Sequence, residues 1–453
     1  SQNSGKKRSG VPLFKQLIQR LRQSSFARGA AGNLGARVAG AGLGFLSQIL
    51  LARVLQASGY GVYIYALTWI NLVAIGGAMG FTTASVRFVS EYRGQGKWKL
   101  FRGYLSYSRS TVLKASTFLA IVAAIVALSL KQLGYASHVS TFTVACFMLP
   151  VMTQVKIRAA ELRGLKWVVW SQIPEKIIRL IVLILGVLLL SYGSNISVSA
   201  PWAMGVHLLG WVAGLLLVFL VAQRAFPSEA THGASEGRSE EWLSTSRDMM
   251  LIAGFNIVLF QADTIMVGAL AGTTDAGLYA VASKLASLMT FVLLAVNSIL
   301  GPVVAELHVQ GKTARLQRIV TFATWGIFVP SVLIGIGLLS FDGQALGVFG
   351  EEFAQSDDAL KFLIGGQLVN AMAGPANLLL NMTGHQRMSA KILGGSAALN
   401  IVLNATLIPL FGFVGAALAT AITMLVWNSL AVWMVWHILG IVAFTLPWKP
   451  YTQ

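Results

Sequence analysis

Cysteine and charge are both scarce in this chain of 453 residues, and each scarcity removes a class of explanation. A single cysteine, Cys146, excludes intrachain disulfides, and the six histidines fall without ligand spacing, so neither a disulfide scaffold nor a metal centre is expected. Charged residues make up only 11% of the chain, where a soluble domain carries about 25%. Acidic residues are the rarer sign, 16 against 34 Lys and Arg, and no paired carboxylates or Ser-His-Asp arrangement stands out. Gly311-Lys312-Thr313 has the ending of a phosphate-binding loop, but Glu306 occupies the place of its first glycine and no strand pattern precedes it. Asn381-Met382-Thr383 is a glycosylation triplet in form only, because it closes an apolar run. No enzyme is expected.

What is present is apolar. With 55% hydrophobic residues and a mean hydropathy of +0.69, the chain reads as an all-α polytopic membrane protein. The start, SQNSGKKRSG, is basic without an apolar core, so no cleavable signal peptide is expected there. Residues 11–24 place Leu13, Leu17 and Leu21 at four-residue spacing among Lys15, Arg20 and Arg22, the pattern of an interfacial helix on anionic lipid. Runs long enough to span then follow at 31–52, 60–86, 105–130, 139–160, 168–191, 200–223, 249–271, 277–304, 319–340, 360–382, 389–410 and 413–439. With both termini cytoplasmic, the tails and inner connections would hold 25 of the 34 Lys and Arg and the outer connections only Arg53, Lys131 and Lys361. That bias supports twelve transmembrane helices and makes a nucleic-acid partner unnecessary. The expected organisation is a basic cytoplasmic segment at 1–29, a first lobe at 30–224, a Ser/Glu/Gly-rich cytoplasmic linker at 225–247, a second lobe at 248–440 and a cytoplasmic tail at 441–453.

The two lobes repeat each other. Gly61, Tyr63 and Ala66 match Gly277, Tyr279 and Ala282 at an offset of 216, and Glu91 with Gln95-Gly96-Lys97 matches Glu306 with Gln310-Gly311-Lys312 at 215. Two parallel six-helix copies are the construction expected of a transporter with a central site. Within the second copy, the turn at Gly272 to Tyr279 joins two apolar arms, each with one ionisable residue 10 to 11 positions from the turn: Asp263 and Lys284. Equal spacing puts both at one depth, where unlike charges are expected to pair, since stranding one costs about 3 to 5 kcal/mol.

ILLARVLQASGYGVYIYA (49–66), FQADTIMVGALAGTTDAGLYAVA (260–282) and LIPLFGFVGAALATAIT (407–423) resemble the signatures of bacterial oligosaccharide, or O-antigen, flippases of the Wzx type, in the multidrug, oligosaccharidyl-lipid and polysaccharide exporter superfamily. The resemblance covers about 30–440. It implies two lobes around a cavity in the bacterial cytoplasmic membrane and movement of an undecaprenyl-diphosphate-linked oligosaccharide from the inner to the outer leaflet. It also implies no cofactor, energy from H+, Na+ or the membrane potential, and other polysaccharide-assembly proteins as partners. A cation-coupled multidrug exporter of the same superfamily is the alternative, though the first run has only Arg37 and Arg53 where a buried carboxylate would be natural. A membrane-embedded polymerase or ligase fits less well with short outer connections and an internal repeat.

A diphosphate head cannot cross hydrocarbon alone, so cations and hydrogen-bonding groups must line its path. The cations inside spans are Arg37, Arg109, Lys114, Lys176, Arg179 and Lys284. Arg109, near an inner end, reads as a snorkelling anchor; Arg37 reads as either anchor or cavity residue. Arg179 is available to a substrate unless Glu175, four residues earlier, neutralises it. Asn370, Asn377 and Asn381 form a polar stripe on the tenth run, and Ser396, Asn400 and Asn404 one on the eleventh; sugar hydroxyls could bind them, or they could join the two helices to each other. The substrate-binding candidates are therefore Lys284, Asp263, Arg37, Arg179, Lys114, Asn370, Asn377 and Asn400.

Overall fold

The structure, a computed structural model, describes residues 25–132, 136–193, 197–227, 229, 233–442 and 444. The segment read as an interfacial helix and most of the expected tail lie outside the described residues. Among those described there is no strand; the chain is helix after helix, as the apolar periodicity requires. The first half contains α1 (Ser25–Ala78), α2 (Phe81–Gly94), α3 (Trp98–Gln132), α4 (Ala136–Gly164), α5 (Val168–Ile173), a π turn (Pro174–Ile178), α6 (Arg179–Gly193) and α7 (Ala200–Ala225). The second contains α8 (Ser239–Leu270), α9 (Thr273–Ala286), α10 (Thr290–Val309), α11 (Thr313–Ser340), α12 (Asp342–Gly347), α13 (Asp357–Ala373), α14 (Ala376–Met382) and α15 (Gln386–Leu439). Ser239 to Arg247, expected in the linker, are already helical as the start of α8.

Seven helices among the described residues are long and apolar enough to cross a membrane, and α13 with α14, bent by 45°, makes an eighth. Two of the long ones are folded in the middle. At 54 residues, α1 and α15 would each run about 80 Å if straight, against a hydrocarbon core of about 30 Å. Each breaks at one residue outside helical geometry, Gln56 (φ 58°, ψ 178°) and Gly412 (φ 58°, ψ −142°). Glycine accepts that backbone readily; glutamine does so only under constraint.

Close packing uses the small residues at helical spacing. A Cβ on Gly40 would stand 2.8 Å from the Cβ of Lys176, and one on Gly44 would touch Leu180, so α1 lies against the π turn and α6. A Cβ on Gly80, at φ 77°, would fall 1.9 Å from the Ser246 carbonyl oxygen, where α8 crosses the start of α2. The first part of α8 is held there by Trp242, which is buried among Tyr92, Tyr104 and Tyr107 and donates its indole N–H to the Tyr92 hydroxyl at 2.8 Å.

The halves also meet at the end carrying the Gly272 turn, and there the contact is reciprocal. A Cβ on Gly61 would stand 2.0 Å from the Thr273 carbonyl oxygen; one on Gly277 would stand 2.9 Å from the Ala57 carbonyl oxygen and from Gly61 Cα. Residues 57 and 61 lie 216 positions before 273 and 277, so each copy presents the same two residues to the other. Side chains reinforce this closure. The Ala57 amide, first after the Gln56 break, donates to Glu352 Oε2 at 2.8 Å, Arg53 Nε donates to the Val348 carbonyl at 2.6 Å, and Phe45 and Tyr60 pack edge-on against Phe349 and Phe353. His138 Nε2 lies 3.0 Å from the Thr273 hydroxyl.

Candidate functional site

Asp263 lies on α8, seven residues from the end of that helix, and is only 7% exposed. Three neutral donors from three other helical segments converge on its carboxylate. The Tyr279 hydroxyl (α9) donates to Oδ2 at 2.8 Å, the Thr420 hydroxyl (α15, after its break) to Oδ2 at 2.8 Å, and the Asn404 amide (α15, before its break) to Oδ1 at 2.6 Å. Asn404 also donates to Asn400 Oδ1 at 3.0 Å, while its own Oδ1 is buried with no partner among the described residues. Asp263, Tyr279, Asn400 and Thr420 line one end of a cavity of about 300 Å³ that continues past Thr290, Gln367 and Thr423 to Phe291, Met424 and Trp427. One carboxylate among neutral oxygens suits a monovalent cation or a proton; no group of three His, Cys, Asp or Glu comes together among the described residues to hold a multivalent metal.

Asp263 and Lys284 do not pair. Tyr279 already turns the hydroxyl-bearing face of α9 toward Asp263, and Lys284, five residues on, points about 140° away around the helix. Its half-buried ammonium group makes no hydrogen bond or ion pair among the described residues. The depths differ too: Asp263 lies seven residues from the end of α8 and Lys284 eleven residues into α9, about 6 Å deeper, because the turn is centred nearer to Asp263 than the sequence spacing suggested.

The first half holds a site of opposite sign. Arg179, the first residue after the π turn, donates from Nε to the Glu175 carbonyl at 2.8 Å and from Nη1 to His207 Nε2 at 2.5 Å, and lies 4.9 Å above the Trp211 ring. Glu175 therefore holds Arg179 through its backbone carbonyl, with no contact between the side chains of the kind the four-residue spacing suggested. His207 Nδ1 lies 2.7 Å from the Tyr63 hydroxyl. Lys156 from α4 sits 6.0 Å from the same Trp211 ring. The Glu175 carboxylate lies within electrostatic range of Lys156, Arg163, Lys176 and Arg179, and Arg37 within range of Arg163 and Lys176. Four cations thus surround one acid, with Arg37 beside two of them.

The remaining candidates fall in several places. Arg37 and Lys114 are exposed on their helices. Asn400 lines the Asp263 cavity, so the stripe with Ser396 and Asn404 on α15 is real and buried. The expected stripe on the tenth run is not one stripe: Gly374 (φ 62°) separates α13 from α14, so Asn377 and Asn381 do not continue the face of Asn370. Asn370 bonds weakly to Gln367 at 3.4 Å, and Asn377 Oδ1 is buried without a partner among the described residues. Arg109 is no snorkelling anchor. It forms a two-pronged ion pair with the fully buried Glu161, at 2.6 to 3.2 Å. Sequence reasoning missed Thr420, Lys156 and His207. It had marked Tyr63 and Tyr279 only as repeat landmarks, although two matched tyrosines inside apolar spans were themselves a signal that a hydroxyl is needed there.

Two halves built of long apolar helices, with buried ionisable groups inside each, define a membrane transporter fold. Solved structures agree. The chain aligns with the lipid II flippase MurJ in an inward closed conformation at a TM-score of 0.68, with 14% identity over 90% of this chain and 87% of that one. With an inward-facing multidrug resistance MATE family transporter of the MOP superfamily, the TM-score is 0.69, with 11% identity over 88% and 94%. A third, from Pyrococcus furiosus, is a MOP superfamily transporter described by the reverse polarity of its binding pocket; it aligns at 0.62, with 12% identity over 96% and 99%. Residues 26–308 match the polysaccharide biosynthesis protein family, and 249–406 also match the MatE family. The chain belongs to the polysaccharide biosynthesis protein family. Among curated proteins it is similar to the probable low-salt glycan biosynthesis flippase Agl15 of Haloferax volcanii, 25% identical over 86% of this chain and 79% of that protein. It is also 28% identical to the probable flippase AglR of the same organism, over 38% and 36%.

Proposed function

We propose that this protein is a flippase that carries a lipid-linked, diphosphate-bearing oligosaccharide across the cytoplasmic membrane for polysaccharide assembly. It is a transporter rather than an enzyme. The observation that carries the reading is the opposite sign of its two buried sites: cations gathered in the first half, where an anionic head would be held, and one carboxylate among neutral donors in the second half, where a coupling Na+ or H+ would act. The flippases among its relatives support the class of cargo.

Twelve crossings are the count this reading uses. The eight apolar spans become ten when α1 and α15 are each folded at their breaks, and α8 together with the composite α5 to α6 helix supplies the last two. The reciprocal Gly61 and Gly277 contact supports two parallel lobes related by a twofold axis along the membrane normal, closed on the outer side and opening inward. Lys284, with no hydrogen bond or ion pair among the described residues, is then a second contact for the substrate phosphate.

The MATE likeness favours a different reading, export of a small cationic compound coupled to an ion. Depleting the protein in its host separates the two. The flippase reading expects a diphosphate-linked saccharide to accumulate on the inner leaflet; no such accumulation, together with new sensitivity to cationic drugs, would support the exporter.

A further inference from the structure

The first half contains a chain of groups that the internal repeat relates to the Asp263 site. Tyr63 and Tyr279 are matched residues, each six positions into a helical arm that starts at the closed end. Each hydroxyl reaches a buried ionisable group on another helix, His207 in one half and Asp263 in the other. His207 is seven residues from the start of α7, and Asp263 seven from the end of α8, so both groups lie about 10 Å below the same end of the molecule. What differs is the sign. Where the second half has a carboxylate, the first has Arg179 reaching His207.

The hydrogen bonds fix the state of His207. A guanidinium can only donate, so Nε2 accepts from Arg179, and the ring is neutral with its proton on Nδ1, donated to the Tyr63 oxygen. The imidazole thus acts as a rigid support that aims a cation. The local sequence makes this possible. Pro174 has no N–H to donate, and in the π turn that follows, the Arg179 amide bonds to the Pro174 carbonyl, five residues back. The Glu175 carbonyl is left open, and Arg179 Nε takes it. Two contacts and the Trp211 face therefore hold one side of the guanidinium, while Nη2 has no acceptor among the described residues. Lys156, on the same Trp211 ring, makes no hydrogen bond or contact ion pair among them. Arg179 and Lys156 flank Trp211 with the Glu175 carboxylate as the one acid among the described residues acting on both, and with Arg163, Lys176 and Arg37 nearby the group keeps an excess of positive charge that suits an anion with several acceptor oxygens.

We propose that Arg179 and Lys156 form a binding site for a phosphate-type anion in the first half of the protein, with His207 as the positioning residue that aims Arg179, and that this site is the opposite-polarity counterpart of the Asp263 site. The phosphate is either the head of a polyprenyl diphosphate or free inorganic pyrophosphate; only the first choice rests on the flippase reading.

The test is equilibrium binding of radiolabelled inorganic pyrophosphate to the purified full chain in detergent at low salt, with displacement by a polyprenyl diphosphate. Saturable binding that falls at least tenfold in both Arg179→Gln and Lys156→Met, and is unchanged in the surface variant Arg87→Gln, supports the site. His207→Gln, which can still accept from Arg179 and donate to Tyr63, should bind within about threefold of the unsubstituted protein, whereas His207→Phe should lose tenfold or more. Displacement by the polyprenyl diphosphate identifies the lipid head as the ligand; failure to displace identifies the free anion. Absence of pyrophosphate binding, or binding indifferent to both Arg179 and Lys156, overturns the proposal. Thermal melting of each variant separates loss of fold from loss of site. Because the assay needs no transport, a protein that binds pyrophosphate but moves no lipid-linked saccharide would remove the flippase reading alone.

Discussion

Asp263 and Lys284 show what a residue's position along a chain does and does not determine. A lone acid and a lone base in uncharged runs were legible as functional candidates, because neither belongs in hydrocarbon without a reason. The three donors to Asp263 were not legible as a set, since Tyr279, Asn404 and Thr420 come together only when helices distant in sequence pack. The absence of an ion pair changes the expected energetics. Asp263→Asn and Lys284→Met should destabilise additively, with a coupling within about 0.5 kcal/mol in a double-mutant cycle read by thermal unfolding. A coupling above 2 kcal/mol would show that the two charges meet in the folded protein. For transport, Asp263→Asn should reduce lipid-linked saccharide flipping in proteoliposomes at least tenfold and flatten its dependence on the cation gradient. Asp263→Ala, which strands the three donors, should also lower stability by about 2 to 3 kcal/mol.

At the scale of the element, breaks rather than helices carry the information. Helices followed from apolar periodicity. The break at Gln56 was not legible, because nothing in its identity asks for a positive φ; the bond from the Ala57 amide to Glu352, nearly three hundred residues away, supplies the constraint. Gln56→Gly should therefore raise the melting free energy by about 1 kcal/mol if strain is relieved in place. The π turn was equally hidden, since nothing in residues 174–178 asks for hydrogen bonds five residues apart. The glycines at the closed end act by volume. Gly61→Val and Gly277→Val should each separate the α1 and α9 arms, and Thr273→Cys in a Cys146→Ala background should react faster with an impermeant maleimide in both variants. Faster reaction in one variant only would mean that the contact is not reciprocal in the membrane.

The all-helical membrane class of the whole molecule was legible, because hydropathy acts over long windows and averages out local error. The repeat was visible through a few landmarks, Gly61 with Gly277 and Tyr63 with Tyr279, and those landmarks proved to be where the halves touch and where each reaches its ionisable site. The attachment of α8 to the first half through Trp242 was not visible, since a Ser/Glu/Gly-rich stretch reads as a spacer whatever follows it. The twelve-crossing arrangement expects residues 273 and 344 outside and 311 and 386 inside. Single cysteines at these positions, labelled from outside in intact cells, should react at the first two and not at the others.

The reciprocal glycine contact also bears on ancestry. Two identical six-helix chains meeting across a twofold axis would make the same contact, with one glycine serving in both partners, and any substitution there would strike the axis twice. Duplication and fusion release that restriction, allowing one half to acquire an acid and the other a base without either change being copied across. On this view a symmetric dimer carries the same charge on both sides, and the opposite charges of Asp263 and Arg179 became available only once the two copies shared a chain.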